Sequence, residues 1–373
     1  MSTDRYDVLI IGAGPAGCAT ALALEASGCR VIVLDRPAAH PFQIGESAAP
    51  DVGRLLRRLD VEGRLHLSGH RPYQGNISLW GGNEPRLDHF LSRGIGHGWH
   101  LDRAAFDEQL RNEVRSRGIR LHRCAGIEAI LPSSDGWDAR MRGFGNVPAR
   151  VVVDAGGRRS PLTAQLGIPR RKLDKLVALA VRAAHTRDLI GLSLVEAFAD
   201  GWWYAAGLPD GHVLVTLMTD QDIAAARSFR NWNAYVHAWR GTRLLVNHVP
   251  PPSEPVAIHA FAAHSGCIAR AVGKGWVAVG DALMGWDPLT SSGISGALGD
   301  GLAAVPAIID MLEGGRDFAQ AYAERANAVF GRYLIERLQR YGIESRWRQS
   351  AFWARRTQWP QPPNFSATSA DSR

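Results

Sequence analysis

Lysine is nearly absent from this sequence. Its three lysines are Lys172, Lys175 and Lys274, so arginine supplies most of the 43 basic residues and the net charge of +7. Two explanations stay open: a general preference for arginine in the source's proteins, or attraction to an anionic cofactor or an acidic partner surface. No nucleic-acid-binding motif accompanies the charge, so we predict no nucleic-acid partner.

Cysteine is also sparse, and long apolar runs are missing. Cys18, Cys29, Cys124 and Cys267 form no CxxC pair, which argues against a disulfide framework and against a cysteine metal site. The first residues have the pattern of a strand and not of a secretory signal, and no apolar run is long enough to span a membrane. We therefore expect a cytoplasmic enzyme with no membrane span.

Glycine, by contrast, marks a dinucleotide-binding fingerprint near the N-terminus. A strand pattern over residues 7–11 runs into Gly12-Ala-Gly14-Pro-Ala-Gly17 and then an alanine-rich helix. In this motif Gly12 permits the tight turn, Gly14 lets the backbone approach a pyrophosphate, and Gly17 lets helix and strand pack closely. The second strand ends on Asp35, at the distance where an acid binds ribose hydroxyls.

A second strand–loop–helix unit lies at residues 275–312. A short apolar strand, residues 276–279, is followed by Gly280-Asp281, by a polar loop that begins at Pro288, and by an apolar helical pattern to Leu312. The free backbone N–H groups at such a helix start suit anions and the polar edges of heterocycles. The Asp281 carboxylate suits sugar hydroxyls because it only accepts hydrogen bonds.

Between these units the pattern changes. Strands with short turns cover residues 175–219, which favours an antiparallel sheet with one face over a ligand. We predict helices over residues 219–240, 295–312 and 317–340, and a disordered tail rich in proline and serine. Farther upstream, Asp102 is a predicted N-cap, and Arg103 in the first turn opposes the helix dipole, which hints at an anionic ligand.

Together these motifs resemble the FAD-dependent monooxygenases of the para-hydroxybenzoate hydroxylase fold, and in particular their flavin-dependent halogenase-like branch. Besides the two units above, Gly45-Glu46-Ser47, Arg103 with Asp107, residues 154–160 and residues 201–211 carry the match. The branch includes tryptophan hydroxylases of quinone-cofactor maturation.

The resemblance and the patterns imply an α/β fold, with a Rossmann-type FAD-binding domain, an inserted antiparallel-sheet substrate domain and C-terminal helices. We predict a discontinuous FAD-binding domain over 1–174 and 265–312. The substrate sheet is predicted over 175–264, and C-terminal helices and tail over 313–373.

The resemblance also implies roles for single residues. Arg103 would contact the ribityl-phosphate region of FAD, Asp281 the ribityl hydroxyls, and residues 288–294 the isoalloxazine ring, where reduced flavin meets oxygen. The predicted catalytic residues are Glu46, Pro288, Ser292 and Gly293, and no metal is expected. The predicted cofactor-binding residues are Gly12, Gly14, Ala16, Gly17, Asp35, Arg36, Arg103, Asp281, Gly293 and Ile294.

The chain departs from the family pattern in three ways. Asp154-Ala155 stands where the family has Asp-Gly, which leaves the cofactor contacts of that motif open. No second GxGxxG marks a nicotinamide domain, so electrons could come from NAD(P)H directly or from a separate flavin reductase. Flavin halogenases carry a lysine in the N-terminal half that handles hypohalous acid, whereas no lysine precedes Lys172 here, and a Trp-x-Trp-x-Ile-Pro signature is missing too.

These departures favour a hydroxylase of an electron-rich aromatic substrate, either a small molecule or a tryptophan in a partner polypeptide. The alternatives are a flavin-dependent halogenase, a reductase of the geranylgeranyl reductase type, and a flavin-binding protein without catalysis. Hydroxylation of a phenol or indole benefits from a base near the ring. The candidate bases are Glu46, which we favour, and His97, His100, Glu196 and His259.

Overall fold

The computed structural model describes residues 5–36, 43–63, 69–123, 126–142, 145–184, 189, 191–315, 317–358 and 365. Its strands are β1 Tyr6–Ile11, β2 Val31–Asp35, β3 Ser47–Ala48, β4 Arg71–Tyr73, β5 Gly75–Leu79, β6 Arg86–His89, β7 Gly98–His100, β8 Arg120–Arg123, β9 Ile127–Ser133, β10 Gly136–Met141, β11 Gly145–Asp154, β12 Arg170–Lys172, β13 Leu176–Ala184, β14 Leu192–Phe198, β15 Gly201–Gly207, β16 His212–Asp220, β17 His259–Ala262, β18 Gly266–Ile268, β19 Val272–Gly273, β20 Trp276–Ala278 and β21 Met284–Gly285. Its helices are α1 Pro15–Glu25, α2 Asp51–Arg58, α3 Arg103–Ser116, α4 Pro161–Gln165, α5 Gln221–Ala226, α6 Trp232–Arg240, α7 Leu245–His248, α8 Gly293–Leu312, α9 Asp317–Ile343 and α10 Ala351–Ala354.

The first sheet confirms the predicted Rossmann-type fold. Its parallel strands run in the order β20-β11-β1-β2-β8, with β19, β10 and β9 added antiparallel. The central strands are continuous apolar runs because helices cover both faces of a parallel sheet. Ile11 pairs with both Leu34 and Asp154, so the segments that follow β1, β2 and β11 leave the sheet at one edge. Ligands of such sheets bind at that carboxyl edge.

Helices α1 and α8 pack closely against each other beneath that edge. A Cβ at Gly301 of α8 would lie 2.6 Å from the Ala16 carbonyl oxygen and 2.9 Å from the Thr20 hydroxyl of α1, and one at Gly280, which precedes α8 and has φ +58°, would lie 2.7 Å from the Ala16 Cβ. Small residues therefore allow the close approach. By length and composition α8 could cross a membrane. It is a core helix of this fold, because 56% of its most apolar 18-residue stretch is buried inside the protein.

The second sheet has the order β17-β13-β16-β15-β14-β5-β6, and all neighbours are antiparallel except β14 and β5. A turn over residues 208–211 joins β15 to β16, with Gly211 at φ +85° and its N–H donating to the Leu208 carbonyl. Strands β5 and β6 come from the N-terminal half of the chain. A boundary at residue 175 thus divides this sheet between two predicted units, and the domain division remains a prediction.

One predicted helix was wrong in part. Residues 212–220 form β16, and the segment up to residue 240 is two helices, α5 and α6, separated by a turn in which Ser228 has φ +55°. Apolar residues on both sides of the turn gave a pattern that resembled one longer helix. Helices α8 and α9 confirm the other two helical predictions. The predicted disordered tail lies outside the described residues, apart from Phe365.

Candidate cofactor and active site

The glycine turn after β1 forms an open, positively polarised cradle. Gly12 has φ +102°, and a Cβ there would collide with the Ala155 carbonyl oxygen; a Cβ on Gly17 would collide with the Gly12 carbonyl oxygen. At Gly14, by contrast, no described heavy atom lies within 4 Å of an added Cβ. Helix α1 starts there without a side-chain cap and without an acidic residue in its first turn. The space and the unpaired N–H groups fit a pyrophosphate.

Asp35 closes this cradle from the end of β2. One carboxylate oxygen accepts the Ala13 N–H at 3.0 Å, and the other lies 3.8 Å from the Arg123 Nε atom. Arg36 follows it and is exposed. The acid therefore orders the glycine turn while keeping acceptor capacity for hydroxyl groups.

Asp281 lies at the same edge, just after β20. Its carboxylate, 39% exposed, forms an ion pair with the Arg158 Nε at 3.2 Å. Arg158 is held in turn by the backbone carbonyls of His264 and Trp286. Arg158 lies within the motif of residues 154–160, and its partner Asp281 comes from a segment more than 100 residues away, so the motif alone does not indicate this pair.

Residues 288–293 run from a short 3-10 helix to Gly293, the first residue of α8, and include one strained backbone position. Pro288 starts a short 3-10 helix, and Ser291 has the left-handed φ of +51°. Helix α8 begins with no side-chain cap and no acidic residue in its first turn, and no described atom lies within 4 Å of an added Cβ at Gly293. The start of α8 thus has open space beside Gly293, and Ile294, the next residue, is buried.

Asp154 and Ala155, where the chain departs from the family's Asp-Gly pair, lie behind the glycine turn. The Asp154 carboxylate is buried and accepts the backbone N–H groups of Gly156 and Thr163, so it holds the following turn together. Burial raises its pKa, and these hydrogen bonds oppose the rise. The Ala155 Cβ would lie 3.2 Å from a Cβ at Gly17, so alanine narrows the space behind the glycine turn.

Most N–H donors of the Arg103 guanidinium bind acceptors of the protein itself. Its Nη1 donates to the carbonyls of Ile44 and Gly45 at 2.9 and 3.1 Å, and its Nη2 lies 3.3 Å from an Asp107 oxygen. Its buried Nε is one of the polar atoms without a partner in the described part of the chain. Arg103 therefore orders the segment before Glu46 and keeps one N–H for a further acceptor.

Glu46 lies where the two halves of the molecule meet. It is 4% exposed, and its carboxyl accepts the Gly45 N–H at 3.0 Å. Next to it, the Ser47 hydroxyl lies 2.6 Å from the Tyr204 hydroxyl of β15. Burial raises the pKa of Glu46, and the Tyr204 hydroxyl and the Arg103 guanidinium oppose the rise.

Around Glu46 the side chains form a buried hydroxyl network. Ser193 Oγ lies 3.3 Å from both the Ser47 and Tyr204 hydroxyls and 3.1 Å from His100 Nε2. Burial, reinforced by Arg71, lowers the pKa of His100 to about 4, so His100 is neutral near pH 7. Glu46 and His100 were predicted separately as candidate bases. The structure connects them through Ser193 and Tyr204, two residues that the sequence did not indicate as partners.

The other candidate bases lie elsewhere. Glu196 is on the opposite face of the sheet, where it accepts the N–H groups of Arg243, Leu244 and Leu245 and caps α7. His97 is exposed and contacts the Gly98 carbonyl, and His259 lies on the edge strand β17. Within the ranges that the structure describes, no three His, Cys, Asp or Glu side chains converge as metal ligands.

The glycine cradle and the carboxylates at this carboxyl edge define a nucleotide-binding protein, and comparison with known families specifies the nucleotide. The profile of the FAD binding domain family matches residues 5–334. The chain belongs to this family and is an FAD-dependent oxidoreductase of its halogenase-like branch.

Similar proteins fall on both sides of the hydroxylase and halogenase division. A protein of Marinomonas mediterranea named LodB, described as an FAD-dependent oxidoreductase, is 29% identical over 366 residues, which cover 95% of this chain and 97% of LodB. The solved structure of QhpG, described as a peptidyl tryptophan dihydroxylase essential for tryptophylquinone cofactor biogenesis, has a TM-score of 0.80 at 26% identity and covers 96% of this chain and 80% of its own. The halogenase CmlS has a TM-score of 0.82 at 23% identity, over 99% of this chain and 69% of its own, which shows the shared fold.

The described residues fit FAD. The cradle at Gly14 has the space and the N–H groups for the pyrophosphate, Asp35 and Asp281 present carboxylates for the two sugar portions, and the uncapped start of α8 can face the ring. We call residues 288–293 the flavin loop from here on.

Proposed function

We propose that this enzyme is a monooxygenase that hydroxylates an electron-rich aromatic ring, and that the ring is a tryptophan side chain of a partner polypeptide. The observation that carries the proposal is the buried Glu46 carboxyl, with its raised pKa, at the contact between the FAD-binding half and the antiparallel sheet. The choice of a peptidyl tryptophan is supported by the likeness to QhpG, and a small aromatic molecule is the other substrate to test.

In this proposal Glu46 is the general base. A carboxylate whose pKa is raised toward the working pH is a better proton acceptor than an ordinary one. Glu46 would take the indole N–H proton, or the proton that the ring carbon loses when its C–H bond becomes C–OH. The hydroxyls of Tyr204 and Ser47 would then orient that carboxyl, since burial and the neighbouring Glu46 raise the pKa of Tyr204 and keep its hydroxyl protonated.

The flavin loop would position and polarise the cofactor. FAD, when bound and reduced, activates molecular oxygen and supplies one oxygen atom to the ring, while the second leaves as water. Pro288 would set the loop's course along the ring, and Ser292 and Gly293 would leave the α8 N–H groups open toward developing negative charge. Arg103 and Ile294 would complete the cofactor contacts.

The face of β15 that would meet the substrate carries Trp202 and Tyr204. Trp202 donates to the Tyr341 hydroxyl at 3.0 Å, on the side of the flavin loop. Trp203 points the other way, toward Tyr235 and Trp239 on α6, because side chains alternate along a strand. Trp203 is therefore a core residue on the helix-covered face of the sheet.

Halogenation is the competing function, since several relatives are named as halogenases. The lysine that handles hypohalous acid in halogenases has no counterpart here before Lys172. We also propose that electrons come from NAD(P)H directly or from a separate flavin reductase, and that the enzyme acts in the cytoplasm. Anaerobic reduction of the bound FAD by NAD(P)H alone would separate the two electron sources.

One assay decides among these functions. The FAD-loaded protein receives a reductant, oxygen, bromide and either tryptophan-containing peptides or free aromatics, and the products are weighed by mass spectrometry. Products heavier by one or two oxygen atoms, in equal yield without bromide, are the expected result. A brominated product that disappears when bromide is withheld would overturn hydroxylation, and anaerobic reduction of an isoprenoid would point to the reductase.

A further inference from the structure

Asp287 connects the flavin loop to the rest of the protein. It directly precedes Pro288 and is fully buried. One carboxylate oxygen accepts the Leu289 N–H at 3.0 Å, and its own N–H donates to the Tyr333 hydroxyl at 2.8 Å. Asp287 thus caps the short 3-10 helix of the loop from below.

The charge of Asp287 is compensated from helix α9. Its second oxygen accepts from Arg337 Nε at 3.2 Å and from the Tyr341 hydroxyl at 2.9 Å, and these two residues lie one helical turn apart. Arg337 also donates to Asp174 at 3.0 Å, so one buried guanidinium serves two carboxylates. A buried carboxylate without such a partner strongly destabilises the folded protein. The ion pair therefore holds the flavin loop in a fixed position relative to α9.

The Tyr341 hydroxyl has a fixed hydrogen-bond direction. The indole N–H of Trp202 can only donate, and an ionised Asp287 can only accept. The hydroxyl therefore accepts from Trp202 at 3.0 Å and donates its single proton to Asp287. One hydroxyl joins the substrate-facing side of β15 to the carboxylate under the flavin loop.

Other polar side chains of the loop bond within it. The Thr290 hydroxyl donates to the Asp287 carbonyl at 3.1 Å, and the Ser292 hydroxyl donates to the Thr290 carbonyl at 2.9 Å. These bonds shape the loop but do not place it relative to α9 or β15. Asp287 supplies the charged contact that does.

We propose that Arg337 and Tyr341 are positioning residues, which place the flavin loop against bound FAD from the C-terminal helix α9 through Asp287. Tyr341 also couples the loop to Trp202 on the substrate side of β15. Helix α9 would thereby contribute to the active site. It applies to any reaction of the bound FAD and does not depend on hydroxylation.

The first test compares two buried tyrosines that each lose a hydroxyl. Tyr341→Phe removes the link to Asp287, whereas Tyr235→Phe removes the bonds to the Leu179 and Val215 carbonyls on the helix-covered face. We measure the FAD dissociation constant, the reduction potential of bound FAD and the urea unfolding midpoint of the full-length protein. We expect Tyr341→Phe to weaken FAD binding about five-fold and to shift the potential, and Tyr235→Phe to change only the midpoint.

The proposal is overturned if both tyrosine variants lower the unfolding midpoint while FAD affinity and potential stay at the wild-type values. A packing role would give that result, because each hydroxyl would then contribute only to the stability of the fold.

A second test uses rescue. Arg337→Gln leaves Asp287 and Asp174 without their cation, and we expect it to weaken FAD binding more than Tyr341→Phe does. Adding Asp287→Asn removes one of the unpaired charges and should restore part of the FAD affinity. No recovery in the double variant, with both proteins folded, would contradict the proposal. If Arg337→Gln does not fold, the tyrosine pair still decides.

Discussion

A buried glutamate lies against each face of the antiparallel sheet, Glu46 on one and Glu196 on the other, and the two have different partners. On the face covered by α6 and α7, Glu196 is 3% exposed and accepts three backbone N–H groups within 2.9 Å. On the face toward the FAD-binding half, Glu46 is 4% exposed, accepts one backbone N–H and lies beside the Tyr204 and Ser47 hydroxyls. The two glutamates are thus buried to nearly the same extent but have different hydrogen-bond partners.

The two glutamates differ in the groups that donate hydrogen bonds to their carboxylate oxygens. Backbone N–H groups cannot leave a helix start without cost, so Glu196 is a fixed structural acceptor. Hydroxyls can rotate and can act as donor or acceptor, so the surroundings of Glu46 can adjust when its proton comes or goes. A buried carboxyl suggests catalysis only when its partners tolerate both protonation states.

The largest effect is expected from removing FAD, which tests whether the role of Glu46 in turnover requires the cofactor. Gly14 has extended backbone, and added side-chain atoms at this position meet open space, so Gly14→Val should fold. The valine would occupy the space of the pyrophosphate, and we expect titratable FAD binding and all turnover to be lost. In this background Glu46→Gln should have no further effect on turnover, whereas Glu196→Gln should still lower the unfolding midpoint. Wild-type FAD affinity in a folded Gly14→Val protein would contradict the pyrophosphate assignment.

The second largest effect is expected from removing the proposed general base, Glu46. We expect Glu46→Gln to lower kcat about 10²- to 10⁴-fold while FAD still binds, because the amide keeps the shape but cannot take a proton. Single-turnover product formation and FAD titration measure the two effects. The matched control is Glu196→Gln, measured per folded molecule. Equal kcat values for the two variants would remove Glu46 from the mechanism.

Glu196→Gln should act on stability. An amide presents N–H donors toward backbone N–H groups, so part of the α7 cap is lost, and we expect about 1–3 kcal/mol less unfolding free energy. Urea unfolding followed by tryptophan fluorescence checks this value. An unchanged midpoint would mean that water replaces the cap, and the two faces would then be less different than the structure suggests.

The smallest effect is in the pH dependence. Burial raises the pKa of Glu46 above the ordinary 4.5, so its base form, and with it kcat, should increase as pH rises through the raised value. Stability should change in the opposite direction: the contribution of a group with a raised folded-state pKa is complete below the unfolded-state pKa and is lost as pH rises through the folded one. The difference in unfolding free energy between wild type and Glu46→Gln, measured across pH, isolates this contribution. A difference that is independent of pH would contradict the raised pKa.

Sequence reasoning worked best where a motif and its structure are local. The roles of Gly12 and Gly17 follow from a strand, a turn and a helix within a dozen residues, and the clashes that a Cβ would meet there agree with them. It worked less well where a residue's partners are distant. Glu196 and Glu46 were both candidate bases, and only the pairing of β14 with β15 and the capping of α7 separate them.

The sequence by itself determined the family, the parallel sheet with its glycine cradle, and the loop before α8, because hydrophobic periodicity and glycine spacing act over short stretches of chain. The tertiary structure decided which polar groups meet. Ser47 reaches Tyr204 across 157 residues, and Asp287 reaches Arg337 across 50. It also decided which face of β15 carries Trp202 toward the flavin loop and Trp203 into the core. Alternation along a strand separates two neighbouring side chains, but only the packing of sheet against helix assigns each to its side.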